Sequence, residues 1–156
     1  MKILILSDTH YHHCSKLDDA MFNKMKLYDL IIHLGDFVSE NFYNLLKENF
    51  NLVGVKGNND YRLSELKLEE ELVISGKKII LLHGHTRNTT YLDYEFPDYD
   101  LILHGHLHHP HITKRDRLTI ASPGSYSFNR YVDFESFLTM EIKNNVINLD
   151  LHKVYR

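Results

Sequence analysis

KILILSDTH, residues 2–10, decides the reading of this chain. Residues 3–6, Ile-Leu-Ile-Leu, form an unbroken apolar run, too short for a helix face and suited to a strand covered on both sides. The run stops at Ser7, and Asp8 and His10 follow at once, an oxygen donor and a nitrogen donor two residues apart. The same order recurs along the chain. LIIHL (30–34) precedes Gly35-Asp36, and LVGV (52–55) precedes Gly57-Asn58-Asn59-Asp60. IILL (79–82) precedes His83-Gly84-His85, and LILH (101–104) precedes Gly105-His106-Leu107-His108. A metal centre needs donors from remote parts of a chain to converge, and strands that end on one edge of a sheet deliver that. The candidate ligands are therefore Asp8, His10, Asp36, Asn58, His83, His106 and His108.

Between the first three runs the spacing turns helical. Leu17, Ala20, Met21, Met25 and Leu27 predict a helix over residues 16–27. Ser39 is a suitable N-cap for a helix over 40–50 with Phe42, Leu45, Leu46 and Phe50 on its apolar face. Strand alternating with helix predicts βαβ crossovers and a parallel sheet. Beyond residue 70 the chain becomes strand-rich. Residues 71–74 and 78–82 flank a Ser75-Gly76-Lys77 turn, and a short helix fits 89–94. A strand fits 100–104. Two further hairpins pair 111–114 with 118–121, around Arg115-Asp116-Arg117, and 137–142 with 146–152, around Asn144-Asn145. The expected fold class is α/β, with two mixed sheets packed face to face and helices outside. No repeat, linker or low-complexity stretch interrupts residues 1–156, so one domain is expected.

Composition narrows the function. A length of 156 residues supports a real core, and a net charge of -3 argues against bulk binding to nucleic acid or anionic membranes. An anionic substrate stays compatible, because bound metals dominate a local field. The one cysteine, Cys14, excludes an intrachain disulfide and fits a reducing, cytoplasmic compartment. The apolar run at residues 3–6 is too short for a signal peptide or a membrane span. Histidine is the outlier, with 12 in the chain and no tag-like run.

Two metal ions in a hydrolytic centre sit about 3.5–4 Å apart, so one ligand must touch both. A carboxylate can bridge them, and Asp36 is the best placed, with Gly35 before it allowing a sharp turn at the strand end.

The order Asp-x-His, Gly-Asp, Gly-Asn-x-Asp, His-Gly-His and Gly-His-x-His resembles the calcineurin-like metallophosphoesterase superfamily. The short length and Ser122-Pro-Gly-Ser125 resemble its small prokaryotic phosphodiesterase branch. The resemblance runs from Asp8 to Ser125 and implies a four-layer α-β-β-α sandwich. It implies one metal held by Asp8, His10, Asp36 and His108, and another by Asp36, Asn58, His83 and His106. It also implies phosphodiester hydrolysis by in-line attack of a metal-activated hydroxide, without a covalent enzyme intermediate. Two divalent transition-metal ions suit such mixed ligation, manganese first, with nickel, zinc, iron or cobalt as alternatives. The expected partner is a small phosphodiester or nucleotide-type substrate.

This chain departs from the family pattern in places. Many members carry a histidine after the ligand asparagine, thought to assist the leaving group. Here that position is Asn59, which donates a hydrogen bond but transfers no proton at neutral pH. His85 is a substitute acid, against a packed or surface role. The catalytic assignments are thus Asp36, Asn59 and His85. Ser122 stands where asparagine is usual. Arg130, just beyond, either reaches a phosphate or is simply solvated, and Tyr126 and Tyr131 are core or rim residues unless one stacks on a nucleoside. His33 and His104 fall inside strands and are expected to pack, while His12, His13, His109 and His111 are expected on the rim or surface. The alternatives to a phosphodiesterase are a phosphomonoesterase and a non-catalytic scaffold of the same fold, such as the retromer scaffold subunit. A scaffold would have eroded ligands, whereas every ligand position here holds a competent donor. A small two-sheet domain also exposes edges or faces for homo-oligomer formation.

Overall fold

The computed structural model of the protein describes residues 1–11 and 17–156. His12, His13, Cys14 and the start of the first predicted helix lie outside the described residues. The elements in order are β1 (Lys2–Leu6), α1 (Asp19–Met25), β2 (Leu30–His33), α2 (Glu40–Asn49), β3 (Leu52–Gly54), β4 (Glu69–Ile74) and β5 (Lys77–Leu82). A short 3-10 turn (Thr89–Tyr91) then leads into α3 (Leu92–Glu95), β6 (Leu101–His104), β7 (His111–Arg115), β8 (Leu118–Ser122), β9 (Glu135–Lys143) and β10 (Val146–Val154). Asp18 caps α1 by accepting the Met21 N–H at 2.8 Å, so that helix opens later than its apolar spacing suggests. Ser39 caps α2 as expected, accepting the Phe42 N–H at 3.1 Å.

The strands form two five-stranded mixed sheets, in the orders β10-β9-β1-β2-β3 and β4-β5-β6-β8-β7. Strands β1, β2 and β3 run parallel in the first, and β5, β6 and β8 in the second, with hairpin partners antiparallel at the margins. The candidate ligands therefore follow strands of two facing sheets rather than one. In the β4–β5 and β9–β10 hairpins the turns are Ser75-Gly76 and Asn144-Asn145. All four residues have positive φ, as tight two-residue turns require.

Strand alternation builds three layers of core. Ile3 and Ile5 of β1 point between the sheets with Ile32, Ile79, Leu81, Leu101 and Leu103. Leu4 and Leu6 point the other way and meet Met21 and Met25 of α1 and Phe42 and Leu46 of α2. On the far side, Ile80, Leu82 and Ile102 meet Leu92 and Phe96 around α3. Both faces of β1 are thus dry, which is why its sequence reads as a continuous apolar run. Each fully buried Ile or Leu contributes about 1.5–3 kcal/mol relative to exposure. The result is the four-layer α-β-β-α sandwich.

Candidate metal centre

Every candidate ligand follows the C-terminal end of a parallel strand. The loops are stitched together by main-chain bonds: Asp8 N–H to Gly35 O, His10 N–H to Asp36 O and Gly105 N–H to His83 O, each at 3.0 Å. Asp8, His10, Asp36, His106 and His108 all take left-handed backbone conformations, with φ of 52°, 49°, 60°, 70° and 52°. Non-glycine residues in that region cost about 1 kcal/mol or more each, and the surrounding bonds hold them there. Close approach also demands glycine. A Cβ on Gly57 would collide with Asp36 Oδ1 and with the Asp36 nitrogen, and one on Gly105 with Ser7 Oγ.

The loops converge on one point. Asp36 Oδ2 lies 3.3 Å from His10 Nε2 and 3.5 Å from His83 Nε2. Asp8 Oδ1 lies 3.2 Å from His108 Nε2, 3.7 Å from His10 Nε2 and 3.8 Å from His83 Nε2. His10 and His108 bring their Nε2 atoms to 3.3 Å, and Asn58 Oδ1 sits 3.0 Å from His83 Nε2. Among the described residues two metal-competent groups result, Asp8 with His10 and His108, and Asp8 with Asp36 and His83. Asp8 as well as Asp36 therefore stands between the two sets of imidazoles. His106 enters mainly through its main chain, donating N–H to Asp8 Oδ2 at 3.0 Å, with its ring 5.1 Å from that of His83.

The donor chemistry calls for a cation. The Nδ1–H of His83 is used on Leu34 O at 2.7 Å, and that of His108 on Phe128 O at 2.6 Å. In the neutral rings both Nε2 atoms are then lone pairs, facing carboxylate oxygens, each other's neighbours and the Asn58 carbonyl. Asp8 Oδ1 is buried with no hydrogen-bond partner among the described residues. A buried anionic oxygen beside converging imidazole lone pairs is stable only with positive charge among them.

With no cation bound, the carboxylates draw positive charge onto the imidazoles instead. Burial alone would push the Asp8 carboxyl up, yet the His10 and His108 rings and the charge of His83 hold it well below the usual carboxylate range. Asp36, also opposed by burial, is held at about 2 by His83 and by Asn59. Burial disfavours charge on His83, but Asp36 and Asp8 raise it overall, and Asp8 raises His108.

Residues 1–145 match the calcineurin-like phosphoesterase superfamily domain. The chain belongs to that superfamily. A phosphodiesterase of Methanocaldococcus jannaschii is 32% identical over 143 residues, 80% of this chain and 83% of that protein. Among solved structures, a Streptococcus pneumoniae protein described as a predicted phosphoesterase superposes with a TM-score of 0.80 at 24% identity, covering 99% of this chain and 92% of its own. Zinc-complexed Vps29 of Entamoeba histolytica superposes with a TM-score of 0.78 at 21% identity, covering 98% and 99%. These likenesses extend the fold over the whole chain.

Within this calcineurin-like frame, the residues that depart from the family pattern have definite places. Asn59 is turned onto Asp36: its main-chain N–H reaches Oδ1 at 3.0 Å and its amide Nδ2 reaches Oδ2 at 2.9 Å. Ser122 accepts the Gly124 N–H at 3.2 Å, holding the turn of the Ser-Pro-Gly-Ser loop. His85 sits half-buried with its ring 5.4 Å from His83 and 6.2 Å from His106, and its Nδ1 has no partner among the described residues. His33 is fully buried, stacked on Phe37 at 3.6 Å and hydrogen-bonded to Thr9 at 3.0 Å. His104 and His111 pair through their Nε2 atoms at 2.9 Å, apart from the carboxylates.

Two supporting residues carry no signal of their role in the sequence. Asp60 is fully buried and accepts the N–H groups of Asp36 and Gly57 on Oδ2, at 2.7 and 2.8 Å, and that of Val38 on Oδ1 at 2.8 Å. It closes the Gly57-Asn58-Asn59-Asp60 stretch, and there it resembles any turn aspartate. Ser7, directly before Asp8, donates to Asp8 Oδ2 at 2.6 Å, leaving Oδ1 to face the imidazoles.

Proposed function

We propose that this chain is a two-metal phosphodiesterase, with Asp8, His10, Asp36 and His108 holding one ion and Asp36, Asn58, His83 and His106 the other. The observation that carries the reading is the position of Asp36 Oδ2, within 3.5 Å of a nitrogen from each imidazole set. Manganese, nickel, zinc, iron or cobalt all suit the donors, and manganese is our first choice. When bound, such ions neutralise phosphoryl charge and make water nucleophilic near neutral pH.

The chain's own residues prepare the rest. Leu34 and Phe128 carbonyls fix the tautomers of His83 and His108, so that each presents Nε2 without a proton. Ser7 and the His106 N–H occupy Asp8 Oδ2, and Asn59 grips both oxygens of Asp36, so each carboxylate is oriented before substrate arrives. Asn59 is thereby a positioning residue for the bridging carboxylate rather than a donor to the leaving group. We assign hydrogen bonding of the departing oxygen to His85, beside His83 and His106. The likeness to a phosphodiesterase supports diesters over monoesters. The intact donor set supports an enzyme over a scaffold, and the single cysteine supports a cytosolic setting.

Loading with manganese should give about two ions per chain by elemental analysis. Asp36→Asn should abolish hydrolysis of bis(p-nitrophenyl) phosphate and lower the metal content. A metal content near zero after loading, or full activity in Asp36→Asn, would overturn the reading.

A further inference from the structure

The loop that follows the Ser122-Pro-Gly-Ser125 turn is fastened to the metal centre from two sides. Ser125 and Ser127 hydroxyls both donate to the Asp8 carbonyl, at 2.7 and 2.9 Å. The Phe128 carbonyl takes the Nδ1–H of His108, and the Arg130 N–H donates to the His108 carbonyl at 2.9 Å. Ser125 Oγ also accepts the N–H groups of Ser127 and Phe128, at 3.0 and 2.9 Å. The main chain is thus committed to holding Asp8 and His108.

Three side chains of this loop stand outside that framework, Phe128, Arg130 and Tyr131. Phe128 is 62% exposed and Tyr131 is 92% exposed. Tyr131 is held outward in a left-handed conformation, φ 68°. The Phe128 ring stands 6.1 Å from His108, and the Tyr131 ring 6.5 Å from His109. Between them in sequence lies Arg130, exposed and in no ion pair among the described residues. By contrast, Arg87 and Arg156 are each tied to two carboxylates.

Two exposed rings and an exposed arginine, on one short segment anchored to ligand residues, match a planar base joined through a sugar to an anionic phosphate. Rings of this kind stack on any nucleobase, and arginine adds charge and a planar face of its own. We propose that Phe128, Arg130 and Tyr131 form a subsite for the nucleoside portion of a nucleotide phosphodiester. This rests on the phosphodiesterase reading and names its substrate class. The nucleoside stays on the retained side of the scissile bond, with Arg130 on the phosphate.

The test compares two diesters with the same leaving group and charge, thymidine 5′-(p-nitrophenyl phosphate) and methyl p-nitrophenyl phosphate, on manganese-loaded protein. One stacked base is worth about tenfold in affinity. The wild type should therefore show a kcat/KM about tenfold higher for the nucleotide diester, carried by KM. In the Phe128→Ala/Tyr131→Ala double variant the ratio should fall towards one. Arg130→Gln should raise KM for both diesters. A ratio near one in the wild type, or an unchanged ratio in the double variant, overturns the subsite. Calorimetric binding of thymidine 5′-monophosphate and of inorganic phosphate gives a readout without turnover. Tighter binding of the nucleotide, lost in the double variant, supports the subsite even where neither diester is cleaved, an outcome that overturns only the phosphodiesterase reading. Equal affinity for the two, or no binding of either, overturns the subsite.

Discussion

Replacing Asp60 with asparagine should cost the protein about 3 kcal/mol and most of its metal affinity. The wild-type carboxylate takes three main-chain donors, Asp36 and Gly57 on one oxygen and Val38 on the other. In Asp60→Asn the carboxamide oxygen can keep two of them, while its NH2 meets the third donor head-on. One charge-assisted bond, worth about 1.5–3 kcal/mol, disappears, and the two that remain become neutral and weaker. The opposed donors add about 1–3 kcal/mol of unmet desolvation. Relief of a buried charge works the other way, since burial raises the Asp60 pKa and the anion stands there at some cost. The balance is about 3 kcal/mol, or roughly 6–12 °C in Tm for a chain of this size. Circular dichroism melts in chelator would read this without metal masking it. Because Asp60 joins the Asp36 loop to the Asn58 loop, manganese affinity should also fall about 10–100-fold, read by competition with a chelating dye. A chelator melt within about 2 °C of wild type, with unchanged manganese affinity, would refute the claim that Asp60 holds the two loops together.

Other variants probe neighbouring claims. Gly57→Ala should eliminate tight manganese binding and lower stability by about 1–3 kcal/mol, because its Cβ falls on Asp36; calorimetry with the metal would check both. Asn59→Ala should weaken manganese binding about 10–100-fold in the dye assay while moving the chelator melt little, since Asn59 acts on Asp36 and not on the core. His33, whose pKa burial lowers to about 3, stays neutral in the fold while the unfolded chain takes up a proton below about 6.5. Stability should therefore fall with pH from about 6.5 down to about 3, and His33→Phe, which keeps the stack on Phe37, should flatten urea-derived stability between pH 7 and pH 5. Equal slopes for the two proteins would count against that account.

What the sequence revealed and what it hid follow from range. The β1 run reads as a doubly buried strand because Ile3 and Ile5 serve one dry face and Leu4 and Leu6 the other, so nothing polar interrupts it. The hairpins were legible because Ser75-Gly76 and Asn144-Asn145 are local turn chemistry. Two sheets were legible too, but which run belongs to which was not, since the runs before His83 and His106 look just like those before Asp8 and Asp36. Strand β9 returns to pair with β1 across most of the chain, and no local pattern announces that. The candidate ligands stood out because metal donors directly after apolar runs are unusual. Asp60 and Ser7 did not, because a buried acceptor of main-chain N–H groups resembles any turn aspartate or serine. The engagement of Asn59 with Asp36 depends on two loops meeting, which no spacing encodes.

The left-handed backbones at Asp8, His10, Asp36, His106 and His108 carry a consequence for how the centre can come into being. Each of these residues prefers another conformation when the chain is free, so no excised peptide holds a preformed fragment of the site. The donors follow strands of both sheets, so they meet only where the two sheets are packed together. On the two-metal reading, metal capture would then report completed folding, and a nascent or damaged molecule would leave scarce transition metal to its finished neighbours.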